Sequence, residues 1–190
     1  MAEPLTQEII GRAMRGDSDS FRVIVDQNQA FAYAVAYRFL ANAEDAEDVT
    51  QEAFVRLWRN VHKYRPEIKL TTWLYRIVAN LCLDFLKSAY GKQRKIQVDV
   101  ARIEESAEST DRPLRLNELH EMILRAADGL TPKQKAVFVL RDLEDLPVEE
   151  VCSILSMSAG NVKSNLYYAR KQVGEKLKSY YQTTDKITTI

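Results

Sequence analysis

The chain has 190 residues, and its 27 basic and 27 acidic side chains leave no net charge, so bulk attraction to a polyanion is excluded as an organising feature. With 46% hydrophobic and 28% charged residues it reads as a soluble globular protein with material for real cores. The longest uncharged stretch near the N-terminus, Gln27–Tyr37, is too short and polar to cross a bilayer, so no membrane insertion is expected. The opening, MAEPLTQEIIGRAMRGD, lacks the apolar core of a signal peptide. Six glycines, five prolines and few alternating β-branched runs point to an all-α fold. Cys82 and Cys152 lie on apolar helical faces and read as buried thiols, which makes the cytoplasm the natural compartment.

Thr6 is placed to cap a short helix through Met14, ended by Gly16. Asp17–Ser20 offers caps for a long helix from Phe21 to about Leu40, with Phe21, Ile24, Val25, Phe31, Val35 and Phe39 inward. Asn42 caps the next helix, which runs to about Val61 with Val49, Ala53, Phe54, Leu57 and Val61 inward. Its first turns carry an acidic block, Glu44, Asp45, Glu47, Asp48 and Glu52, which suits a positive helix N-terminus. Beside Phe54, Leu57 and Trp58 the same block has the charged rim and apolar centre of a protein-binding patch. Cations follow at Arg56, Arg59, Lys63, Arg65, Lys69 and Arg76, opposed only by Glu67.

His62–Leu70 reads as a loop broken by Pro66, and KLTTWLYRIVANLCLDFLK (Lys69–Lys87) as the helix after it. At 100° per residue from Thr72, an apolar face collects Leu74, Ile77, Val78, Leu81, Cys82 and Phe85. The opposite face holds Thr72, Arg76, Asn80, Asp84 and Lys87, with Trp73 among them. An exposed aromatic beside amide, cation and carboxylate suits nucleotide bases, and a Trp73 tucked under a neighbouring loop is the plainer alternative. In the loop, Tyr64 offers a second stacking surface unless it packs beneath, and Arg65 and Lys69 offer charge for phosphates. The helix is expected to end near Tyr90–Gly91, closing a domain over residues 1–92.

From Lys92 the periodicity disappears, and the polar run ARIEESAESTDR (Ala101–Arg112) marks residues 93–113 as a flexible linker. In the second domain, 114–190, Leu116, Leu119, Ile123 and Ala126/Ala127 share one helical face ended by Gly129. Thr131-Pro132-Lys133-Gln134 is a capping box that opens a helix through about Arg141. Asp142, Glu144, Asp145, Glu149 and Glu150 form a second acidic cluster. Pro147–Leu155 and the segment after Ser158 then form two helices around a Ser156-Met157-Ser158 turn, which is helix-turn-helix geometry. The second helix keeps Val162, Leu166, Ala169, Val173 and Leu177 inward and presents Asn161, Lys163, Ser164, Tyr167, Tyr168 and Lys171 outward, with Arg170 at the margin. Short polar groups near its start suit base edges, and later cations and aromatics suit backbone, although a plain helical hairpin shares the spacing. The tail after Lys178 is expected to fray.

The stretches DAEDVTQEAFVRLW (Asp45–Trp58), TTWLYRIVANLCLD (Thr71–Asp84) and LPVEEVCSILSMSAGNVKSNLYYARKQV (Leu146–Val173) together resemble a bacterial sigma factor of the extracytoplasmic-function type. Residues 21–92 resemble sigma region 2 and residues 115–180 region 4. The resemblance implies two small helical domains on a linker, no enzymatic activity and no cofactor or metal. It implies a transcription initiation factor that binds core RNA polymerase, directs it to −10 and −35 promoter elements and helps melt the DNA. An anti-sigma factor, usual for the family, would be a further partner. By resemblance, Asp45, Asp48, Gln51, Glu52, Arg56 and Trp58 would meet polymerase. Tyr64, Arg65, Lys69, Thr72, Trp73, Arg76, Asn80, Asp84 and Lys87 would serve the −10 element. Asn161, Lys163, Ser164, Asn165, Tyr167, Tyr168, Arg170 and Lys171 would serve the −35 element. Family members commonly carry arginine where this chain has Asn165 and Tyr168, so promoter preference does not transfer.

A conventional helix-turn-helix repressor or activator is the alternative; it accounts for Pro147–Lys178 but leaves the first domain without work. An enzyme fits less well, because His62 and His120 stand apart from any constellation at metal-ligand spacing and no glycine-rich phosphate loop is present.

Overall fold

The structure, a computed structural model, describes residues 6–99 and 115–187, and the side chains of 6–89 and 119–180. Over these residues every regular element is helical, and the chain divides into two compact units, Met1–Asp84 and Phe85–Ile190.

In the first unit α1 (Gln7–Met14) packs on α2 (Ser18–Leu40), and α2 packs on α3 (Ala43–Asn60). A 3-10 turn, Val61–Lys63, follows α3 and touches α1, and α4 runs Leu70–Asp99. The caps sit where short polar side chains allow them. Thr6 accepts from the Ile9 amide at 3.3 Å, and Asn42 from the Asp45 amide at 3.0 Å. Asp17 accepts from the Asp19 amide and, at 2.6 Å, from the Ser20 hydroxyl; that hydroxyl leads the causes holding its carboxyl below the usual range. Ile24, Val35, Phe39, Leu57, Leu74 and Val78 are fully buried, and each contributes about 1.5–3 kcal/mol of transfer free energy.

Polar side chains share this core: beside Ser20, which is bonded to Asp17, Asn28 and Thr50 are buried. Asn28 donates to the Ile24 carbonyl at 2.8 Å and Thr50 to the Ala46 carbonyl at 2.7 Å, so each satisfies itself on its own helix. Two expected core positions are not inside. Phe31 lies at the edge of the α2 stripe, its ring 5.5 Å from that of Tyr75. Phe85 is exposed because the apolar stripe of α4 outlasts the unit, which ends at Asp84. The helix also continues past Gly91 to Asp99. One glycine costs about 1 kcal/mol, which good helix formers on both sides offset. Residues 100–114, most of the expected linker, lie outside the described residues.

In the second unit α5 (Arg115–Ala127), α6 (Pro132–Phe138) and α7 (Val148–Leu155) all pack on α8 (Ala159–Ile187). Ala126, Ala127, Leu130, Phe138, Ala169 and Val173 form one buried cluster. The Thr131–Gln134 capping box is present in both directions, at 3.4 and 3.0 Å. The expected regular helix to Arg141 instead gives way to a π-helical turn over Val139–Leu143, where the Glu144 amide reaches back five residues to the Val139 carbonyl. Arg141 donates to the Leu146 carbonyl across the bend, and Asp145 takes φ 50°, a left-handed conformation that aspartate tolerates better than most residues. Lys135 is buried and reaches Asp128 at 2.6 Å. Ser156, at φ 53°, ends α7, and Ser158 accepts from the Asn161 amide to open α8. The α8 helix runs to Ile187, beyond the expected fraying at Lys178. Cys82 is buried as expected, whereas Cys152 is only half-buried; neither is in a disulfide.

Candidate nucleic-acid and partner interfaces

The loop between the 3-10 turn and α4 overhangs the first turns of α4 and forms one side of a cleft of about 450 Å³. Tyr64, Arg65 and Ile68 line the loop side, and Trp73, Arg76 and Asn80 line the α4 side. Tyr64 is buried beneath the loop and its hydroxyl donates to the Ile68 carbonyl at 2.7 Å. Burial raises its pKa, and the nearby Glu67 charge adds to the rise. The Tyr64 ring stacks on Trp73 at 5.9 Å and 27°. Tyr64 is therefore a buttress rather than an open stacking surface, while half-buried Trp73 faces the cleft.

Three further residues come from the end of α3 and the 3-10 turn after it, where Arg56, Asn60 and Lys63 close the cleft. Asn60 accepts from Lys63 at 3.1 Å and donates to the Arg56 carbonyl at 2.9 Å, which ties the floor together. Sequence reasoning missed Asn60 and Lys63 as cleft residues, although their spacing from Arg56 along one helical face was the available signal. Arg56, expected at the partner patch, instead lines this cleft and pairs with Glu52 at 2.8 Å. Of the other residues expected here, Lys69 is exposed and Thr72 half-buried, and neither lines the cleft. Asp84 and Lys87 are exposed farther along α4, away from it. A pocket of this size, walled by an aromatic and an amide and rimmed by Arg56, Lys63, Arg65 and Arg76, is suited to a planar base and its flanking phosphates.

A second surface runs along α3. Asp48, Gln51, Val55 and Arg59 are exposed on one face, with Glu52 half-buried among them. Trp58 is 37% exposed at its end, its ring 4.7 Å from that of Phe21. Asp45 stands in the first turn, half-buried beside the Asn42 cap. Val55, 41% exposed, is the residue that sequence reasoning missed; only its angle between Glu52 and Trp58 reveals it. Exposed apolar groups within a charged ring have the anatomy of a protein-docking patch.

The third surface is the outward face of α8. Asn161, Lys163, Ser164, Tyr167, Tyr168 and Lys171 are exposed there as expected. Tyr167 and Tyr168 meet edge to face at 5.4 Å. Two expected residues are committed elsewhere. Asn165 donates its amide to the Asn161 carbonyl at 2.8 Å, turning back onto its own helix. Arg170 bonds both oxygens of Asp142 at 2.8 and 2.6 Å, and these bonds raise its pKa further.

Two family models match the chain: Sigma-70 region 2 over residues 24–91, and Sigma-70, region 4 over residues 120–173. The chain is 28% identical to the ECF RNA polymerase sigma factor SigW of Bacillus subtilis, covering 93% of this chain and 98% of that one. It is 32% identical to the ECF RNA polymerase sigma factor SigE of Mycolicibacterium smegmatis, over 87% of this chain and 64% of that one. Its fold is similar to that of the Bartonella quintana sigma factor RpoE, solved in complex with the anti-sigma factor NepR. The TM-score is 0.61 at 22% identity, over 83% of this chain and 96% of that one.

Proposed function

This chain belongs to the extracytoplasmic-function sigma factors of the sigma-70 family and directs RNA polymerase in transcription initiation; from that premise we propose how its three surfaces divide the work. The α3 face docks on core polymerase through Asp48, Gln51, Glu52, Val55 and Trp58, with Asp45 at its edge. The cleft under the 64–69 loop captures an unpaired base of the −10 element. Trp73 stacks on it, Asn80 meets its edge, and Arg56, Lys63, Arg65 and Arg76 hold neighbouring phosphates, with Lys69 and Thr72 guiding the strand on the approach and Asp84 and Lys87 flanking it farther along α4. The outward face of α8 lies in the major groove of the −35 element, where Asn161 and Ser164 reach bases and Lys163 and Lys171 reach phosphates. Residues 1–92 and 114–190 act as the two functional halves. An anti-sigma factor is the partner that would restrain them, as one is bound to the structurally similar Bartonella protein.

The observation that carries this reading is the cleft, which places an aromatic, an amide and several cations around a base-sized space next to the docking helix. A conventional repressor has no use for such a site. Replacing residues 64–69 by a Gly/Ser segment should leave binding to core polymerase intact and remove permanganate-reactive thymines from the −10 region. Equal promoter opening by the loop-swapped protein would place base capture elsewhere.

A further inference from the structure

On the reading that α8 lies against promoter DNA, we propose that Asp142, an acidic residue outside α8, is a positioning residue for −35 binding: it aims the Arg170 guanidinium at a backbone phosphate. The two residues are 28 positions apart, and their pairing joins the π-helical turn to α8. Arg170 Nε and Nη2 meet the two carboxylate oxygens separately, at 2.8 and 2.6 Å, which is the planar fork that fixes a guanidinium in orientation as well as position. The Asp142 side chain is 19% exposed and that of Arg170 59%, so the carboxylate is set back from solvent and the guanidinium stands at the surface. Three of the five guanidinium N–H donors are left over by the fork. Arg170 also borders one shallow surface depression together with Lys163, Tyr167 and Lys171, the residues of the outward face. Its place at the margin of that face, next to the buried Leu166 and Ala169, is what brings Asp142 within reach.

Two physical effects of Asp142 oppose each other, which makes the proposal decidable. As a charge it neutralises a cation, so its removal should tighten DNA binding and steepen the salt dependence. As a positioning group it spares Arg170 the ordering cost of meeting a phosphate, so its removal should weaken binding. The fork, made to a carboxylate set back from solvent, favours the second effect.

The test uses the full chain assembled with core polymerase and a duplex recovered from a randomised pool by the parent holoenzyme, titrated across salt concentrations. Asp142→Asn and Arg170→Gln should each weaken binding severalfold and each lower the salt slope by about 0.9, the share of one phosphate contact. The double variant should be no worse than either single one, and Asp142→Glu should recover part of the loss. Arg170→Lys, which keeps the charge but cannot make the fork, should also lose affinity, and it decides the matter if Asp142→Asn destabilises the second unit. A merely structural pair would move the melting temperature and leave the salt slope of the folded protein unchanged. Asp142→Asn binding as tightly as the parent, or full affinity in Arg170→Lys, would overturn the proposal alone. Loss of effect in Lys163→Ala as well would overturn the assignment of α8 to DNA, and the proposal with it.

Discussion

The phenol of Tyr64 closes the loop that it begins, through its hydrogen bond to Ile68 and its flat contact with Trp73. Tyr64→Phe should lower the stability of the first unit by about 1 kcal/mol, the usual worth of one such bond, read from thermal melting. Trp73→Ala should leave that stability less affected than promoter opening, because stacking of one base is worth about 1–3 kcal/mol. Permanganate reactivity unchanged by Trp73→Ala would remove the tryptophan from base capture. The raised pKa of Tyr64 also has a definite sign. Its folded value lies above the ordinary 10.0, so its contribution is fully present below pH 10 and is lost as pH rises through the folded value. A phenolate titration should show a late-ionising tyrosine, and Tyr64→Phe should remove that late step.

Among the elements, α3 has two ends with different work. Its N-terminal half carries acids that suit the helix dipole, a role worth about 0.3–1 kcal/mol per group. Its exposed face adds Val55 and Trp58, which capping does not require. Reversing Asp48 and Glu52 to lysine should abolish core binding in a pull-down while circular dichroism stays that of the parent. Retained wild-type affinity would reduce the acids to helix stabilisers. In the C-terminal half Arg56 and Asn60 line the cleft instead, so Arg56→Ala should spare core binding and reduce promoter opening. The Arg56–Glu52 pair joins the halves, but at nearly half exposure it adds little stability of its own.

For the whole molecule, two compact units on one chain mean that each of the two proposed DNA contacts would raise the effective concentration of the other. A fragment of residues 1–99 should therefore keep core binding and lose selectivity for −35 sequence, by pull-down and footprinting. A fragment that still discriminates −35 sequences would move that function out of the second unit.

The all-α class, the caps at Thr6, Asp17, Asn42, Thr131 and Ser158 and the helix-turn-helix were legible in the sequence, because capping and 3.6-residue periodicity act over a few neighbouring residues. The exposed face of α3 and the polar side of α4 were visible for the same reason. The structure alone decided that Tyr64 goes under its loop, that Arg56 and Asn60 join the cleft, that Asn165 turns back and that Arg170 is held by Asp142. A helical wheel fixes the direction in which a side chain leaves its own helix. What that side chain meets depends on another element, here 28 residues away for Arg170, and on a π turn whose extra residue no local pattern announced. Such partners are set by the packing of helices against one another, and packing is a property of the folded units.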